Sequence, residues 1–317
     1  LIHIVDGNDY LVVPENKPVP DGLADTTVVL TQPLDHIYLV ATSAMDLFCA
    51  LDGIGSIRLS GTDERGWYID EAKAAMQNGA MLYAGKYSAP DYELIYAEQC
   101  DLAVESTMIY HSPEVKEQLE RLGVPVLVER SSYESSPLGR MEWLKLYGVL
   151  LNREEAAEAI YQQALDSLRP VIEQENTGKA VVFFYINSNG SANVRKSNDY
   201  VAKMIEMAGG TYIFSDLGND NALSTMNMQM EMFYTGAKDA DVIIYNSTID
   251  GELHSIDELL AKSPLLADFK AVRNGDVWCT GQNLFQSTMG LGDMILDIHA
   301  VLTEEAPEPL TYLHRLT

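Results

Sequence analysis

Residues 137–175 read PLGRMEWLKLYGVLLNREEAAEAIYQQALDSLRPVIEQE, and the rest of the chain is organised around them. Within this stretch Ala156, Ile160 and Ala164 follow one another at intervals typical of one face of a helix. We predict an amphipathic helical segment over Leu138–Leu151. A second helix, of about 22 residues and about 33 Å, begins with a cap at Asn152.

Segments on both sides of this helical stretch alternate between strand-like and helix-like patterns. The predicted strands are His36–Ala41, Ser56–Ser60, Met81–Ala84, Leu102–Glu105 and Pro125–Glu129 before it, and Ala180–Ile186, Thr211–Phe214, Asp241–Tyr245 and Asp276–Thr280 after it. The predicted helices are Ala44–Leu51 with Ser43 as its cap, Asp91–Glu98, Pro113–Leu122, Asp199–Met207, Met230–Ala237, Ile256–Ala261 and Gly292–Leu302. Such alternation indicates mainly parallel sheets covered by helices.

The predicted fold class is therefore α/β, with two Rossmann-like lobes joined by a long helix. The first lobe comprises residues 1–136 and includes an N-terminal β ribbon, the helical linker comprises residues 137–177, and the second lobe comprises residues 178–317. We expect the ligand cleft between the lobes.

Composition excludes several classes of function. The chain of 317 residues has 21 basic and 47 acidic residues, so its formal net charge is −26. This charge opposes binding to nucleic acid and to anionic lipid surfaces. No apolar run approaches the roughly 20 residues that a membrane-spanning helix needs. The chain starts at Leu1 without a basic stretch and apolar run, so we expect either that it has no signal peptide or that it begins after one.

Motifs for common chemistries are absent from the sequence. The glycines at Gly53 and Gly55 lack the third glycine of a dinucleotide loop, and the segment from Gly79 to Lys86 has the wrong spacing for a phosphate loop. The six histidines are isolated in sequence, and Cys49, Cys100 and Cys279 are far apart. We predict no metal site, no cofactor and no catalytic residue, with the three cysteines as buried thiols.

Loops that follow the predicted strands are rich in aromatic, cationic and amide side chains. In open parallel sheets ligands bind beyond the carboxyl ends of the strands, and such a mixture suits a bulky, partly apolar ligand. The predicted ligand-binding residues are Arg65, Trp67, Tyr68, Lys86, Tyr87, Met108, Tyr110, Arg130 and Tyr133 in the first lobe, and Tyr185, Asn187, Arg195, Asn246 and Phe285 in the second.

Two glutamates stand at related places in the two lobes. Glu93 and Glu231 each lie near the start of a short predicted helix that precedes an acidic strand entry. Acidic residues at helix starts are favoured by the helix dipole. A related pair also indicates a docking surface with one acidic contact in each lobe.

Several segments resemble the substrate-binding proteins of ABC importers for iron–siderophore complexes, haem and cobalamin. They occur in order over residues 36–303: GKY at 85–87 leading to PDYE at 90–93, LERLGVPV at 119–126, LLNREEA at 150–156, AGG at 208–210, DADVI at 239–243 and AVRNGDVW at 271–278. The resemblance implies a rigid helix between two lobes and a monomeric, non-catalytic protein. It also implies an extracytoplasmic location, either periplasmic or as a lipid-anchored cell-surface protein, and an ABC permease as partner.

In this family one glutamate of each lobe pairs with arginines of the permease, and by position these are Glu93 and Glu231. The ligand implied is an iron complex. Ferric siderophores are anionic and would use arginines such as Arg65, Arg130 and Arg195, whereas Arg140 is expected to be structural. Haem would need an axial ligand such as Tyr87, Tyr110 or His111.

Two alternatives remain open from the sequence. The first keeps the fold and changes the ligand to a corrinoid, held by aromatic walls such as Trp67, Tyr68 and Phe285. The second is a tetrapyrrole metal chelatase, an enzyme that needs a proton-accepting histidine paired with an acid. His111 and Glu105 are the only local candidates for that pair.

Overall fold

The computed structural model describes residues 1–5, 7–218, 224–304 and 309–317. Two compact units divide the chain. Unit 1 comprises Leu1–Tyr133, Arg140–Gln162 and Gln286–Met289, and unit 2 comprises Glu134–Gly139, Gln163–Phe285 and Gly290–Thr317.

Strands and helices alternate through the first half of the chain, as predicted. In chain order they are β1 (Ile2–His3), β2 (Asp9–Val13), β3 (Thr27–Thr31), β4 (Ile37–Leu39), α1 (Met45–Ala50), β5 (Ile57–Ser60), α2 (Asp70–Gln77), β6 (Leu82–Tyr83), β7 (Gly85–Lys86), β8 (Ala89–Pro90), α3 (Tyr92–Ala97), β9 (Leu102–Ser106), α4 (Pro113–Arg121) and β10 (Val126–Glu129). The linker follows as α5 (Pro137–Glu142), α6 (Leu144–Leu150) and α7 (Glu154–Ile172).

The central sheet of unit 1 has five strands in the order β10-β9-β4-β5-β6, and every pairing is parallel. Alternate residues of its buried strands feed two apolar cores. Leu39, Val104 and Leu127 belong to one core, and Tyr38 and Ala103 to the other. Both faces of the sheet are therefore covered, as expected for strands that read as continuous apolar runs.

The N-terminal segment forms a sheet of its own in the order β1-β2-β3. β1 pairs with β2 antiparallel, and β2 pairs with β3 parallel. This small sheet is the predicted ribbon. The buried hydroxyl of Tyr10 on β2 donates a hydrogen bond of 3.1 Å to the carbonyl of Val126, and this bond ties the ribbon to the central sheet.

The predicted helical stretch is helical, but its first part is two short helices, α5 and α6. The prediction that Asn152 caps the start of the second helix is also wrong, because Asn152 lies at the end of α6. Asn152 has φ of 56°, and the next amide, Arg153 N, bonds back to the Gly148 carbonyl at 2.7 Å. These features define a Schellman C-cap, in which asparagine tolerates the left-handed conformation. Helix α7 then begins in unit 1 and ends in unit 2.

Strand–helix alternation resumes in unit 2. The elements are β11 (Ala180–Ile186), β12 (Ala192–Arg195), α8 (Tyr200–Met207), β13 (Thr211–Tyr212), β14 (Thr225–Met228), α9 (Met230–Ala237), β15 (Val242–Tyr245), α10 (Ile256–Lys262), α11 (Lys270–Asn274), β16 (Val277–Thr280), α12 (Leu291–Thr303) and β17 (Leu313–Arg315). Its sheet runs β14-β12-β11-β15-β16-β17, with β13 also paired to β11.

The sheet of unit 2 is mixed, which differs from the mainly parallel prediction. β11 pairs in parallel with β13 and β15, and β15 with β16, whereas β12, β14 and β17 pair antiparallel. The sequence pattern predicts no strand at any of these three antiparallel elements. The α/β fold class is nevertheless confirmed.

The predicted cap of the first helix is wrong. Ser43 does not cap α1; it lies in a 3-10 turn, and its hydroxyl donates to the Glu129 carboxylate at 3.3 Å.

The three cysteines are free, and burial raises the pKa of Cys49 and Cys100 to about 12 and that of Cys279 to about 11. Among the described residues, no helix is both long and apolar enough to cross a membrane.

Candidate functional site

The parallel strands of unit 1 end at one edge of the sheet, and the predicted ligand-binding loops of this unit follow those ends. The loop after β9 is a 3-10 turn over Thr107–His111. The Ser106 hydroxyl accepts a hydrogen bond from Met108 N at 3.3 Å, and Ile109 is buried beneath the turn. Met108 and Tyr110 flank this anchor and are 45% and 46% exposed, so both are available to a ligand.

A buried carboxylate supports the next loop, after β10. Glu129 accepts hydrogen bonds from Ser131 N at 2.8 Å and from the Ser43 hydroxyl at 3.3 Å. Burial raises the pKa of Glu129, while these hydrogen bonds and the charge of Arg140 act in the opposite direction. Arg140 also donates to the Ser132 carbonyl at 2.8 Å, so it supports the loop as predicted.

The two loops bring together three of the predicted residues. Arg130 donates a hydrogen bond of 2.9 Å from Nη1 to the Tyr110 hydroxyl. Its guanidinium carbon also lies 4.7 Å from the ring centroid of Tyr133 and 5.9 Å from that of Tyr110. We call these three residues the Arg130 cluster. It presents two exposed aromatic rings and a cation at the carboxyl ends of β9 and β10.

The prediction that Trp67 contacts the ligand is wrong. The residue is 1% exposed, it belongs to the apolar core, and its indole Nε1 donates to the Ser60 hydroxyl at 3.2 Å. An aromatic side chain after a strand thus serves here to cover the strand. The neighbouring Arg65 and Tyr68 are exposed, as a ligand contact requires.

Gln286, which is not among the predicted contacts, holds this loop in place. Its Oε1 accepts from Tyr68 N at 2.8 Å, and its Nε2 donates to the Gly66 carbonyl at 2.7 Å. The amide therefore joins two backbone positions more than two hundred residues away in sequence. No local pattern marks such a residue, since glutamines are common on loops.

Lys86 and Tyr87 lie on a small hairpin formed by β7 and β8. Gly85 at its base has φ of 83°, and a Cβ there would lie 2.3 Å from the Ala89 carbonyl oxygen. Only glycine fits this position. Lys86 is exposed, whereas Tyr87 is half-buried and packs against the core that contains Tyr38.

Arg195 and Phe285 meet in unit 2. The guanidinium carbon of Arg195 lies 5.2 Å from the Phe285 ring centroid and 5.6 Å from that of Phe183. Its Nη1 is 3.6 Å from a carboxylate oxygen of Asp199, and only 11% of the Arg195 side chain is exposed. Asp199 thus already balances much of the positive charge that we predicted for ligand binding.

An amide network orders another predicted loop of unit 2. Asn187 Oδ1 accepts from Asn189 N at 3.0 Å and from Ser191 N at 3.1 Å, while its Nδ2 donates to Asn227 Oδ1 at 3.3 Å. Asn193 donates to the same oxygen at 2.8 Å. The turn at Asn187 therefore depends on β14, a strand that the sequence pattern does not predict.

Asn246 is a second wrong prediction. It is 1% exposed, and its Oδ1 accepts hydrogen bonds from Thr248 N at 3.2 Å and Oγ1 at 2.6 Å. An asparagine that bonds its own backbone two residues on stabilises a turn. By contrast Tyr185, at the end of β11, is half-buried and stays a predicted contact.

Glu93 and Glu231 occupy matching positions in their own helices. Each is the exposed second residue of a short helix, Glu93 in α3 and Glu231 in α9. The Asp91 side chain caps α3 by accepting from Leu94 N at 3.0 Å, whereas the side chain of Gln229, at the start of α9, makes no capping hydrogen bond. Both carboxylates are therefore oriented outward from a helix start.

The pair considered for chelatase chemistry does not form. Glu105 is fully buried, and among the described residues neither carboxylate oxygen has a hydrogen-bond partner. Burial raises its pKa to about 8. His111 is exposed on the 3-10 turn, so a buried acid and a surface histidine are not arranged for shared proton transfer.

A cavity of about 460 Å³ lies elsewhere in unit 1. It is lined by residues such as Asp35 and Ser56, which precede β4 and β5, together with Arg153. It is therefore at the amino ends of these strands, away from the predicted ligand loops.

One family model matches most of the chain. The family model described as periplasmic binding protein matches residues 59–284. An uncharacterized lipoprotein of Methanocaldococcus jannaschii is 28% identical over 318 residues, which cover 95% of this chain and 73% of the relative.

Solved structures with low sequence identity share the fold. The periplasmic heme binding protein of Vibrio cholerae matches with a TM-score of 0.68 and 16% identity, over 86% of this chain and 98% of that one. The periplasmic catecholate-siderophore binding protein of the same organism matches with a TM-score of 0.66 and 16% identity, over 86% and 95% of the two chains.

Proposed function

Because the chain belongs to the periplasmic binding protein family, we propose that it captures an iron complex outside the cytoplasm and delivers it to an ABC permease. The ligand would be a ferric siderophore or haem. The names of two structural neighbours, a heme binding and a catecholate-siderophore binding protein, support this ligand class. The relative named as a lipoprotein supports an extracytoplasmic, lipid-anchored location.

The Arg130 cluster is the observation that carries the proposal. Siderophore chelates and haem both combine planar or aromatic surface with negative charge. A half-buried arginine held between two exposed tyrosines offers a cation for that charge and rings for that surface. Because Glu129 and Ser106 fix the two loops, the cluster is preorganised and loses little conformational entropy on binding.

Tyr110 is the residue that specifically favours haem as the ligand. A tyrosine can serve as an axial ligand of haem iron. When a phenolic oxygen coordinates ferric iron it carries negative charge, and the hydrogen bond from Arg130 would stabilise that charge. A catecholate siderophore would instead place its own oxygens on the iron and use Arg130 as a counter-ion.

The corrinoid alternative loses support from the burial of Trp67, which was one of its three proposed aromatic contacts. The chelatase alternative loses its proton-transfer pair, since Glu105 is buried and His111 is exposed. We therefore propose a carrier without catalytic residues or resident cofactor, acting as a monomer.

Glu93 and Glu231 are the proposed contacts for the permease. Exposed carboxylates on short helices suit recognition by arginines, and the net charge of −26 would assist encounter with a basic surface. The other exposed or half-buried contacts predicted from the sequence remain proposals for the ligand: Arg65, Tyr68, Lys86, Tyr87, Met108, Tyr185, Asn187, Arg195 and Phe285.

The absorption spectrum of the protein isolated from cells grown with iron, haem and cobalamin tests the proposal. A Soret band would identify haem, and a broad visible charge-transfer band would identify a ferric siderophore. A corrin spectrum would contradict the iron proposal, and turnover of porphyrin with metal would contradict a carrier.

A further inference from the structure

Two histidines and a glutamate that are distant in sequence lie together in unit 2. Glu252 and His254 precede α10, whereas His314 lies on strand β17. One potential ligand atom from each of these residues lies within 4.8 Å of the other two. The rings of His254 and His314 are stacked, with centroids 5.5 Å apart.

The distance between His314 and Glu252 fits two ligands of one metal ion. His314 Nδ1 is 3.4 Å from Glu252 Oε1, which is longer than the ~2.7–2.9 Å of a charge-assisted hydrogen bond. Two ligands at tetrahedral angles around zinc, each ~2.0–2.1 Å from the ion, are about 3.3–3.4 Å apart. The pair is thus spaced as zinc ligands are.

The other ring nitrogen of His314 fixes which nitrogen can bind a metal. His314 Nε2 is 2.7 Å from the Leu253 carbonyl oxygen. A carbonyl only accepts, so Nε2 carries a proton, and in the neutral imidazole Nδ1 presents its lone pair toward Glu252. Histidine ligands of metals usually donate their second N–H to a carbonyl or carboxylate in this way.

Solvent access and backbone support also suit an ion. The side chains of His314 and Glu252 are 33% and 32% exposed, and His254 is exposed. His254 N donates to Glu258 Oε2 at 2.7 Å, which holds the backbone of this segment in place. A ring nitrogen of the exposed His254 already lies within 4.8 Å of the other two candidate ligand atoms, and water can occupy the fourth position of the ion.

We propose that Glu252, His254 and His314 form a zinc site. Two imidazoles and one carboxylate favour zinc over magnesium or calcium, which prefer oxygen ligands. The ion would join the segment after β15 to the edge strand β17. It would therefore stabilise the loop that starts at the carboxyl end of β15.

Calorimetric titration of the chelator-treated chain of 317 residues with zinc chloride tests the site. We expect one equivalent of zinc per chain and a rise in Tm with zinc. His254→Gln should lower the affinity at least tenfold and remove the rise in Tm, and since its ring is exposed this variant should fold normally. Glu252→Gln provides a second variant that leaves the His314–Leu253 hydrogen bond intact.

His3→Gln is the matched control. His3 Nδ1 is 2.6 Å from Asp9 Oδ1, so it is also an exposed histidine beside a carboxylate, but the described residues include no third ligand there. Zinc binding should be unchanged in this variant. The proposal is overturned if the native chain binds less than one equivalent at micromolar zinc, if His254→Gln binds as tightly as the native chain, or if His3→Gln loses as much affinity.

Discussion

The guanidinium of Arg130 donates a 2.9 Å hydrogen bond to the hydroxyl of Tyr110, and this bond links the loops that follow two adjacent strands. The Tyr133 ring lies against the same guanidinium. One arginine thus organises two exposed aromatic side chains at the edge of the sheet. The proposed ligand site of unit 1 depends mainly on this arrangement.

Replacing Arg130 by glutamine should weaken binding of the iron complex about tenfold or more. The substitution removes a charge-assisted hydrogen bond of about 1.5–3 kcal/mol. Affinity measured by quenching of intrinsic fluorescence checks the effect. Arg121→Gln removes the same charge from an exposed position on α4, where Arg121 pairs with Glu117, and should leave affinity unchanged. Equal losses in both variants would show a general effect of charge.

Replacing Tyr110 by phenylalanine distinguishes haem from a siderophore. If haem is bound through Tyr110, loss of the phenolic oxygen removes an iron ligand, so the Soret band should shift and affinity should fall. A ferric siderophore already has its own oxygen ligands, so its visible band should keep its position. Tyr96→Phe alters a tyrosine on α3 that is 70% exposed and serves as the control.

Reversing the charge of Glu93 or Glu231 should abolish uptake in cells and leave ligand affinity unchanged. Either change places a lysine at a helix start, which costs about 0.3–1 kcal/mol of stability. Glu114→Lys is the matched control because Glu114 is also the exposed second residue of a helix, α4. Uptake that survives in Glu93→Lys would argue against a docking role for Glu93, and survival in Glu231→Lys would do so for Glu231. Equal failure in Glu114→Lys would argue against both roles.

Glu105 should make stability depend on pH. Burial raises its pKa to about 8, whereas a glutamate in the unfolded chain has a pKa of about 4.3. Between these two pH values the folded chain keeps a proton on Glu105 that the unfolded chain releases. The contribution of Glu105 to the free energy of unfolding is therefore complete below about pH 4.3 and is lost as the pH rises toward 8.

Glu105→Gln removes that titration. The free energy of unfolding of this variant relative to the native chain should therefore rise between pH 5 and pH 8, as measured by urea unfolding at several pH values. Glu155→Gln, at an exposed position of α7, is the reference for the loss of one carboxylate. A difference between Glu105→Gln and the native chain that does not change with pH would contradict this prediction.

The junction between α6 and α7 should tolerate glycine better than alanine. Asn152 has φ of 56°, so Asn152→Ala should lower the free energy of unfolding by about 1–2 kcal/mol, whereas Asn152→Gly should change it little. Thermal unfolding measures both. Asn198→Ala provides the comparison, because Asn198 is an exposed asparagine whose φ is not positive. Equal Tm values for Asn152→Ala and Asn152→Gly would contradict this account of the junction.

Periodicity in the sequence was enough to predict the long elements. Ala180–Ile186 and Met230–Ala237 have the predicted bounds, because a buried apolar run and a helical spacing are local signals. The short strands β12 and β14 were missed. Apolar and polar residues alternate over the four positions of each, as in a half-buried strand, but so short a run is a weak signal. Their pairing through Asn193 and Asn227 depends on neighbours distant in sequence.

Residue type alone predicted the site only in part. Arg130, Tyr110 and Tyr133 were selected from strand-end loops and do come together, since adjacent parallel strands end at the same edge. Trp67 and Asn246 were selected on the same grounds, but one covers the core and the other holds a turn. Burial separates these cases, and a single sequence does not encode burial at loop positions.

Titration of the purified chain with haemin, with a ferric catecholate chelate and with cobalamin, each followed by absorption, tests the central claim most directly. The account predicts saturable binding of one iron complex with submicromolar Kd, and binding at least tenfold weaker in Arg130→Gln. Saturable binding of cobalamin alone, or binding of an iron complex that is equally tight without Arg130, would contradict it.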